Sequence, residues 1–475
     1  MAATQGFASN SPEDPLAAAS PTDKRLVGDS DKDHLPPLLK DRSFWGLAIT
    51  QFLGAFNDNL YKQLILLMAV PVVAAVAVAG LEGAAPVDAT ARGTDMQGWA
   101  LLVFSIPFVL LSGLAGYLSD RFSKQPIILL CKVAEIGVCL LALAAFMFYD
   151  SIGMVGTWTV LFLMGTHSAF FGPGKYGILP EIFRARDLAR ANGIILMTTF
   201  LAIIFGTVAA GTLHDRLVGT SGSAENLWIA SLVCIGLAVA GTFSALLIRR
   251  TPAAQPQLPL TADAWIVSRE VRRVLMNDRP LMVALLASCV FWLVAGLAMP
   301  TINSLGLTQL GLDKTSTSLL TASIALGIMA GAILAGWISR FGKTDRLVTV
   351  GLWGILGSLV ALGMWHGQST HVLGQYGSIV ALISLGVFSA IYSVPLQVFL
   401  QQRPPAAIKG RMIATMNQAN FVGILLAGPL YQLFDRIAAW TGSPISSVFW
   451  MIGLLVLPLA FFYRLDSEAA VRNKP

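Results

Sequence analysis

Apolar runs of about 20 residues recur along this chain and constrain its fold more than any other feature. A helix that rises about 1.5 Å per residue crosses a hydrocarbon core of about 30 Å in one such run. Lipid leaves no water to bond the backbone, so runs of this length indicate helices. The twelve predicted spans cover residues 44–74, 97–118, 126–148, 156–180, 190–212, 226–248, 281–302, 316–338, 346–366, 374–397, 411–433 and 444–464.

The composition also indicates a membrane protein. Of the 475 residues, 55% are hydrophobic and 12% are charged, whereas soluble domains carry about 25% charged residues. We therefore predict an all-α integral membrane protein. The four cysteines lie inside predicted spans without metal-ligand spacing, so we interpret them as packing residues and expect neither a metal nor another cofactor.

The positions of Lys and Arg predict the orientation, because these residues are retained on the cytoplasmic side of a membrane. With the N-terminus inside, most of the 32 Lys and Arg fall on inner segments. The exceptions are Arg92, Arg216, Lys314 and Arg436 on the outer side, and Lys62, Lys132 and Lys175 within spans. Both termini are thus predicted to be cytoplasmic, and the net charge of +6 requires no nucleic-acid partner.

The second and eighth spans end in related sequences. Gly116-Tyr-Leu-Ser-Asp120-Arg121-Phe-Ser-Lys124 is echoed, 220 residues later, by Gly336-Trp-Ile-Ser-Arg340-Phe-Gly-Lys343. This repeat predicts two halves of six helices each. The predicted organisation is a disordered cytoplasmic tail at 1–42, an N-terminal six-helix bundle at 43–248, a cytoplasmic linker at 249–280, a C-terminal six-helix bundle at 281–465 and a cytoplasmic tail at 466–475.

The first copy of this loop resembles a signature of the major facilitator superfamily, Gly-x-x-x-Asp-Arg-x-x-Lys. The resemblance implies two six-helix bundles with a substrate site between them near mid-membrane. We expect an inner gate formed by Gly116, Asp120, Arg121, Lys124, Arg340 and Lys343. The alternative, that the cations only obey the charge rule, does not explain Asp120. Arg340 stands where the second copy would carry its Asp, which argues against a symmetric pair of carboxylates.

Polar residues inside the spans are candidates for the substrate site, because a charge at the bilayer centre costs about 2.5–3.5 kcal/mol on insertion scales. The first span is densest and supplies Gln51, Asn57, Asp58, Asn59 and Lys62. Asp58 and Lys62 are four residues apart, on one helical face. They are expected either to neutralise each other in an ion pair or to contact substrate.

Two further spans carry candidate substrate-binding charges. Lys132 and Glu135 lie three residues apart, and their spacing fits both a structural bridge and a site. Lys175 has no opposite charge within one turn in the sequence, and the Gly and Pro residues around it predict a loosened helix. Its alternative role is to snorkel to the inner surface. His167 is interpreted as a helix contact rather than a proton relay.

Several strings resemble bacterial lysophospholipid transporters, a branch of that superfamily. They cover Gln51 to Asn59, Cys131 to Ile136, Phe171 to Glu181 and Val394 to Gln397. The resemblance implies movement of lysophosphatidylethanolamine or lysophosphatidylglycerol to the cytoplasmic leaflet of a bacterial inner membrane for reacylation. It also implies roles for Asp58 and Lys175, and an acyltransferase acting in trans. Unlike related transporters, the seventh span has no cation at 291–301.

The same fold could export another amphiphile or drug, driven by protons on Asp58. A membrane-bound acyltransferase is disfavoured, because none of the 5 histidines is followed five positions later by Asp. No Gly-x-Ser-x-Gly hydrolase motif occurs, and the near phosphate-binding loop at 336–344 has one residue too many. The chain is therefore predicted not to be an enzyme.

Overall fold

A computed structural model describes residues 36–71, 94–218, 224–258, 267, 269–339, 344–367, 369–405 and 409–463. These parts of the chain contain twelve helices of at least 16 residues, numbered here α1 to α12. They are α1 Arg42–Ala69, α2 Gln97–Arg121, α3 Lys124–Met147, α4 Tyr149–Gly177, α5 Ala185–Val218, α6 Trp228–Ala245, α7 Arg279–Ser304, α8 Lys314–Ser339, α9 Thr344–Leu362, α10 Gly374–Gln402, α11 Lys409–Trp440 and α12 Ser447–Phe462.

Length and hydropathy suit most of these helices to a membrane. Within the described residues, 9 helices are both long and apolar enough to cross one, and α9 and α12 contain shorter apolar segments. The remaining long helix, α1, has 28 residues and contains the polar cluster around Asp58. The predicted all-α membrane fold is confirmed.

Shorter elements lie between the long helices. A helix at Leu179–Ile182 follows α4, a second at Arg269–Asn277 lies in the linker, and a π-helical turn at Leu305–Gln309 ends α7. Strand β1 (Trp365–His366) pairs antiparallel with β2 (Thr370–His371). The ninth predicted span was therefore too long, because α9 ends at Leu362 and a hairpin follows.

The prediction of a loosened helix around Lys175 was also wrong. Helix α4 continues through Pro173 and ends at Gly177, two residues after Lys175. It begins at Tyr149, seven residues before the predicted start, and contains one kink, at Gly153. This kink lies near the start of the helix. Gly153 has a φ of +61° there, a value that only glycine adopts readily.

Buried hydrophobic side chains form separate clusters in the two halves. Two clusters lie between residues 38 and 248. The largest lies between residues 271 and 463, and among the described residues Leu101 is its only buried member from the first half. Each set of six helices thus packs mainly on itself, the arrangement expected of two bundles that move relative to each other.

The halves are joined at one end. We call the end that contains Asp95 the outer end, and the end that contains the α2–α3 loop at 122–123 the inner end, after the predicted orientation. At the outer end, Asp95 Oδ2 accepts hydrogen bonds from Ser304 Oγ at 2.6 Å and Tyr431 OH at 2.8 Å. Gln63 Nε2 donates to Asn303 Oδ1 at 2.9 Å. Burial raises the pKa of the Asp95 carboxyl, whereas the hydrogen bonds from Ser304 and Tyr431 act to lower it.

Helices α2 and α11 show how the contact between the halves changes along their length. A Cβ on Gly98, at the outer end of α2, would meet the Gly428 carbonyl and lie 2.9 Å from Gln432 Nε2. Further along, the rings of Phe108 and Phe421 stack at 4.0 Å. At the inner end of α2, a Cβ on Gly116 would have no atom within 4 Å. The described contacts between α2 and α11 thus lie at the outer end and the middle of α2, and Gly116 at its inner end has free space around it.

This difference along α2 gives a stability prediction. Gly98→Ala pushes against the Gly428 backbone, and such overpacking costs about 1–3 kcal/mol. The added methyl group of Gly116→Ala meets open space. The substitution therefore changes stability only through the better helix propensity of Ala, about 1 kcal/mol. We expect thermal unfolding of the purified proteins to give a lower Tm for Gly98→Ala and an equal or higher Tm for Gly116→Ala. Equal losses in both variants would contradict this difference in packing between the two glycines.

Candidate functional site

Asp58 lies near the middle of α1 and faces α4. Its side chain is 21% exposed. Ser168 Oγ donates to Asp58 Oδ2 at 2.6 Å, and His167 Nε2 lies 3.5 Å from Asp58 Oδ1. Among the described residues, neither that oxygen nor that nitrogen has a hydrogen-bond partner. Buried polar atoms are usually bonded, so this pair has unused capacity for a ligand.

Lys62 does not pair with Asp58, so the expected internal ion pair is wrong. Lys62 Nζ donates to Asn59 Oδ1 at 3.1 Å and lies 5.4 Å from the centre of the Phe104 ring. Asn59 in turn donates to the Ala55 carbonyl at 2.8 Å, within α1. Spacing places Asp58 and Lys62 on one face, but Ser168 draws Asp58 towards α4 and Phe104 draws Lys62 towards α2.

Lys132 and Glu135 form an ion pair whose two side chains are each 1% exposed. Glycines on two neighbouring helices enclose it. A Cβ on Gly54 of α1 would lie 3.0 Å from Lys132 Nζ, and one on Gly241 of α6 would lie 3.1 Å from the same atom. Asn57 Nδ2 donates to Glu135 Oε1 at 2.9 Å. In this conformation the pair joins α1, α3 and α6, which favours the structural alternative.

Gln51 and Lys175 occupy different parts of the first half. Gln51 is buried, and its Nε2 donates to Thr199 Oγ1 of α5 at 3.1 Å. Lys175 is partly buried near the inner end of α4, with Nζ 5.6 Å from the centre of the Phe171 ring. It lies about 12 Å along α4 from His167 at 1.5 Å per residue. The contact of Asp58 with His167 and the Lys175 side chain thus lie at different positions along α4.

The predicted inner gate makes its described contacts within the first half and with the linker. Lys124 pairs with Glu181, whose Oε2 also accepts a hydrogen bond from Thr251 Oγ1 at 2.6 Å. Arg121 donates to Tyr117 OH and, at 3.4 Å, to the Leu258 carbonyl.

The Asp120 side chain is exposed, and its carbonyl accepts from Gln255 N at 2.9 Å. A Cβ on Gly116 would meet open space, as described above. The expected gate residues Arg340 and Lys343 lie outside the described residues.

An apolar cavity lies inside the second half, between α7, α8, α9, α10 and α12. It encloses about 590 Å³ of empty space, part of it open to the surroundings. Val290, Phe291 and Val294 of α7 form part of its wall, with Ile324 from α8 and Val456 from α12. The seventh helix, which has no cation at 291–301, therefore contributes an apolar wall.

Sequence reasoning gave too little weight to two residues of α4. His167 was interpreted as a hydrogen-bonded contact between helices and Ser168 was not selected, yet both face the candidate site residue Asp58. The signal available in the sequence was a histidine within an apolar span, which is uncommon in membranes. Pairing it with Asp58 required the packing of α1 on α4.

The sequence profile of the Major Facilitator Superfamily matches residues 47–428. The chain belongs to the major facilitator superfamily. The predicted two-bundle fold of this superfamily is thereby confirmed, and the family's solved members agree with it. The nucleoside transporter NupG superposes with a TM-score of 0.61 at 13% identity, covering 88% of this chain and 98% of that one.

An inward-open structure is also similar. The xylose transporter XylE from E. coli, described as inward open, gives a TM-score of 0.61 at 13% identity and covers 90% of this chain and 98% of its own. At 13% sequence identity, the similarity to these two structures concerns the fold alone. It agrees with the major facilitator architecture described above.

Curated relatives resemble the chain over most of its length. The lysophospholipid transporter LplT of Pectobacterium carotovorum is 27% identical over 417 residues, which cover 84% of this chain and 88% of the relative. LplT of Cronobacter sakazakii is 28% identical over 416 residues, covering 84% and 90%. The resemblance to bacterial lysophospholipid transporters is confirmed, and this superfamily member is a transporter.

The buried Lys132–Glu135 pair gives a second stability prediction. Glu135→Gln leaves the Lys132 ammonium buried without a carboxylate, which costs about 3–5 kcal/mol. Replacing both residues, Lys132→Met with Glu135→Gln, removes both charges and is expected to recover most of that loss. Thermal unfolding in detergent measures both variants.

A matched control is Glu270→Gln, which breaks an ion pair with Arg411 whose side chains are 62% and 52% exposed. Exposed pairs contribute at most about 1 kcal/mol, so we expect a Tm close to that of the unchanged protein. If the double variant were no more stable than Glu135→Gln, the pair would have a role other than charge compensation.

Proposed function

We propose that this transporter moves lysophospholipids, namely lysophosphatidylethanolamine or lysophosphatidylglycerol, to the cytoplasmic leaflet of a bacterial inner membrane. The observation that carries the proposal is the division of the molecule into a polar first half and an apolar second half. Asp58, His167 and Ser168 lie in the first half, and the cavity beside α7 lies in the second. A substrate with one polar headgroup and one acyl chain matches both.

The headgroup is assigned to α1 and α4. Asp58 Oδ1 and His167 Nε2 have unused hydrogen-bonding capacity, which an ammonium or hydroxyl donor can satisfy. Lys175, further along α4, supplies a cation for the phosphate nearer the inner end. The two sites serve the headgroup at successive positions along α4. Asn57, Lys132 and Glu135 hold the helices that carry these groups.

The acyl chain is assigned to the cavity in the second half. Apolar cavities take up apolar ligands, and among the described lining side chains only Ser389 and Tyr392 carry a polar group. The Tyr392 hydroxyl at the wall already donates to the Ala287 carbonyl at 3.0 Å.

Transport would proceed by alternating access. The described conformation, whose halves are joined at the outer end, is assigned as the one that releases substrate toward the side assigned as cytoplasmic. Both termini are proposed to lie on that side, where an acyltransferase acting in trans would reacylate the product. Membrane lipids surround the exposed apolar side chains.

A second candidate is a major facilitator exporter or proton-coupled antiporter of another amphiphile or drug. The observation that favours it is the approach of Asp58 to His167, two titratable groups 3.5 Å apart. Uptake measurements with and without a proton gradient separate the two candidates.

The proposal is tested by uptake of labelled lysophosphatidylethanolamine into spheroplasts that lack their own transporter. We expect Asp58→Asn and Lys175→Ala to reduce uptake at least about tenfold, the effect of losing a charged hydrogen bond. Glu270→Gln, at an exposed ion pair, is expected to leave uptake unchanged. Absence of uptake by the unchanged chain refutes the function, and full uptake by both site variants refutes the site.

Filling the cavity tests the acyl-chain assignment. Ala295 lines the cavity and is exposed, so Ala295→Phe adds volume there without displacing a packed neighbour. We expect a KM raised more for long-chain than for short-chain lysophospholipids, because the lost contact grows by about 0.8 kcal/mol per buried CH₂. The control Ala439→Phe makes the same change at an exposed site near the outer end of α11. Equal effects on both chain lengths would refute the assignment.

A further inference from the structure

The N-terminus of α8 is held by carboxylates from both halves of the molecule. Asp313, from its own half, accepts a hydrogen bond from Ser316 N at 2.7 Å. Asp215, from the outer end of α5, accepts from Thr315 N at 2.7 Å and Thr315 Oγ1 at 2.6 Å. Lys314 N also donates to Asp215, at 3.3 Å. The first N–H groups of a helix have no partner within it, so carboxylates are favourable there.

The two helices approach to backbone contact beside this cap. Gly211 lies one turn before Asp215, and a Cβ there would meet the Lys314 carbonyl and lie 2.5 Å from Ser318 Oγ. His214 Nε2 lies 2.6 Å from Lys314 Nζ. This approach brings the Asp215 carboxylate within hydrogen-bonding distance of α8. Separation of the two helices at the outer end would move the carboxylate away from α8.

The two caps behave differently when the halves move. Asp313 belongs to the same half as α8, so its bond with Ser316 N does not depend on the position of the other half. The bonds of Asp215 join different halves, so they break when the outer end opens. Water can then hydrate the released carboxylate and N–H groups at the membrane surface, which makes the contact reversible.

We propose that Asp215 is a positioning residue that caps α8 from the opposite half and thereby stabilises the conformation closed at the outer end. Asp215 acts on the equilibrium between the two conformations, and it contacts no part of the candidate substrate site. This inference rests on the alternating access of the proposed function. It does not depend on which amphiphile is carried.

The experiment uses a cysteine reporter in the full-length chain. Ser318 is fully buried at the contact between α5 and α8, so Ser318→Cys reports opening of the outer end. A membrane-impermeant maleimide is applied to intact cells, and the chain without the reporter gives the background from its four native cysteines. Asp215→Ala removes both the oxygens that accept from Thr315 and Lys314 and the charge that favours the helix N-terminus.

We expect Asp215→Ala to raise the labelling rate of the reporter thiol about five- to thirtyfold, the population change that corresponds to loss of one helix cap. Asp313→Ala also removes a cap from α8, but within one half, and is expected to leave the rate unchanged. An unchanged rate in Asp215→Ala overturns the proposal. An equal rise in both variants also overturns it, because the effect would then come from a weakened helix.

Misfolding and failure of the proposed function are both distinguishable from failure of this inference. Thermal unfolding of the two variants is expected to show similar losses, because each lacks one cap, so stability alone cannot produce a difference in labelling. The labelling contains no lysophospholipid, and its outcome therefore stands whether or not uptake of lysophosphatidylethanolamine is found.

Discussion

The high free energy of a charge in hydrocarbon organises the first half of this transporter. Lys132 and Glu135 lie at the centre of three helices, and the bilayer offers no water to either. They are tolerated because each neutralises the other and Asn57 completes the hydrogen bonding of the carboxylate. The glycines at 54 and 241 then allow α1 and α6 to close over the pair. The position of α1 depends on this packing.

The position of α1 in turn decides where Asp58 points. With α1 held against α3 and α6, Asp58 faces His167 and Ser168 of α4, and Lys62 faces away toward Phe104. The cost of burying a charge is met differently in two neighbouring sets of charged side chains. Lys132 and Glu135 are satisfied and enclosed, whereas Asp58 and His167 retain atoms without partners among the described residues. These atoms without hydrogen bonds make Asp58 and His167 a candidate site for ligand binding.

The second half complements the first by a cavity whose described lining carries no charged side chain. Helix α7 contributes apolar side chains to a cavity, and three of its polar residues, Thr301, Asn303 and Ser304, lie near its outer end. There Asn303 and Ser304 bond to the first half. Contacts between the halves therefore gather at the outer end, where hydrogen bonds and backbone approaches of small residues join them. This distribution closes the molecule at its outer end.

The sequence by itself determined the membrane location, the all-α class, the two-half plan and the superfamily, because hydrophobic length, charge asymmetry and the loop repeated at 220 residues are properties of the chain alone. It also singled out Asp58 and the close spacing of Lys132 and Glu135. Only the tertiary structure decided which charges meet. Residues four apart share a helical face, yet Asp58 and Lys62 are separated by partners on different helices. The contacts of Asp58 with His167 and of Asp215 with α8 join residues about 100 positions apart, and these depend on helix packing, which no local spacing encodes.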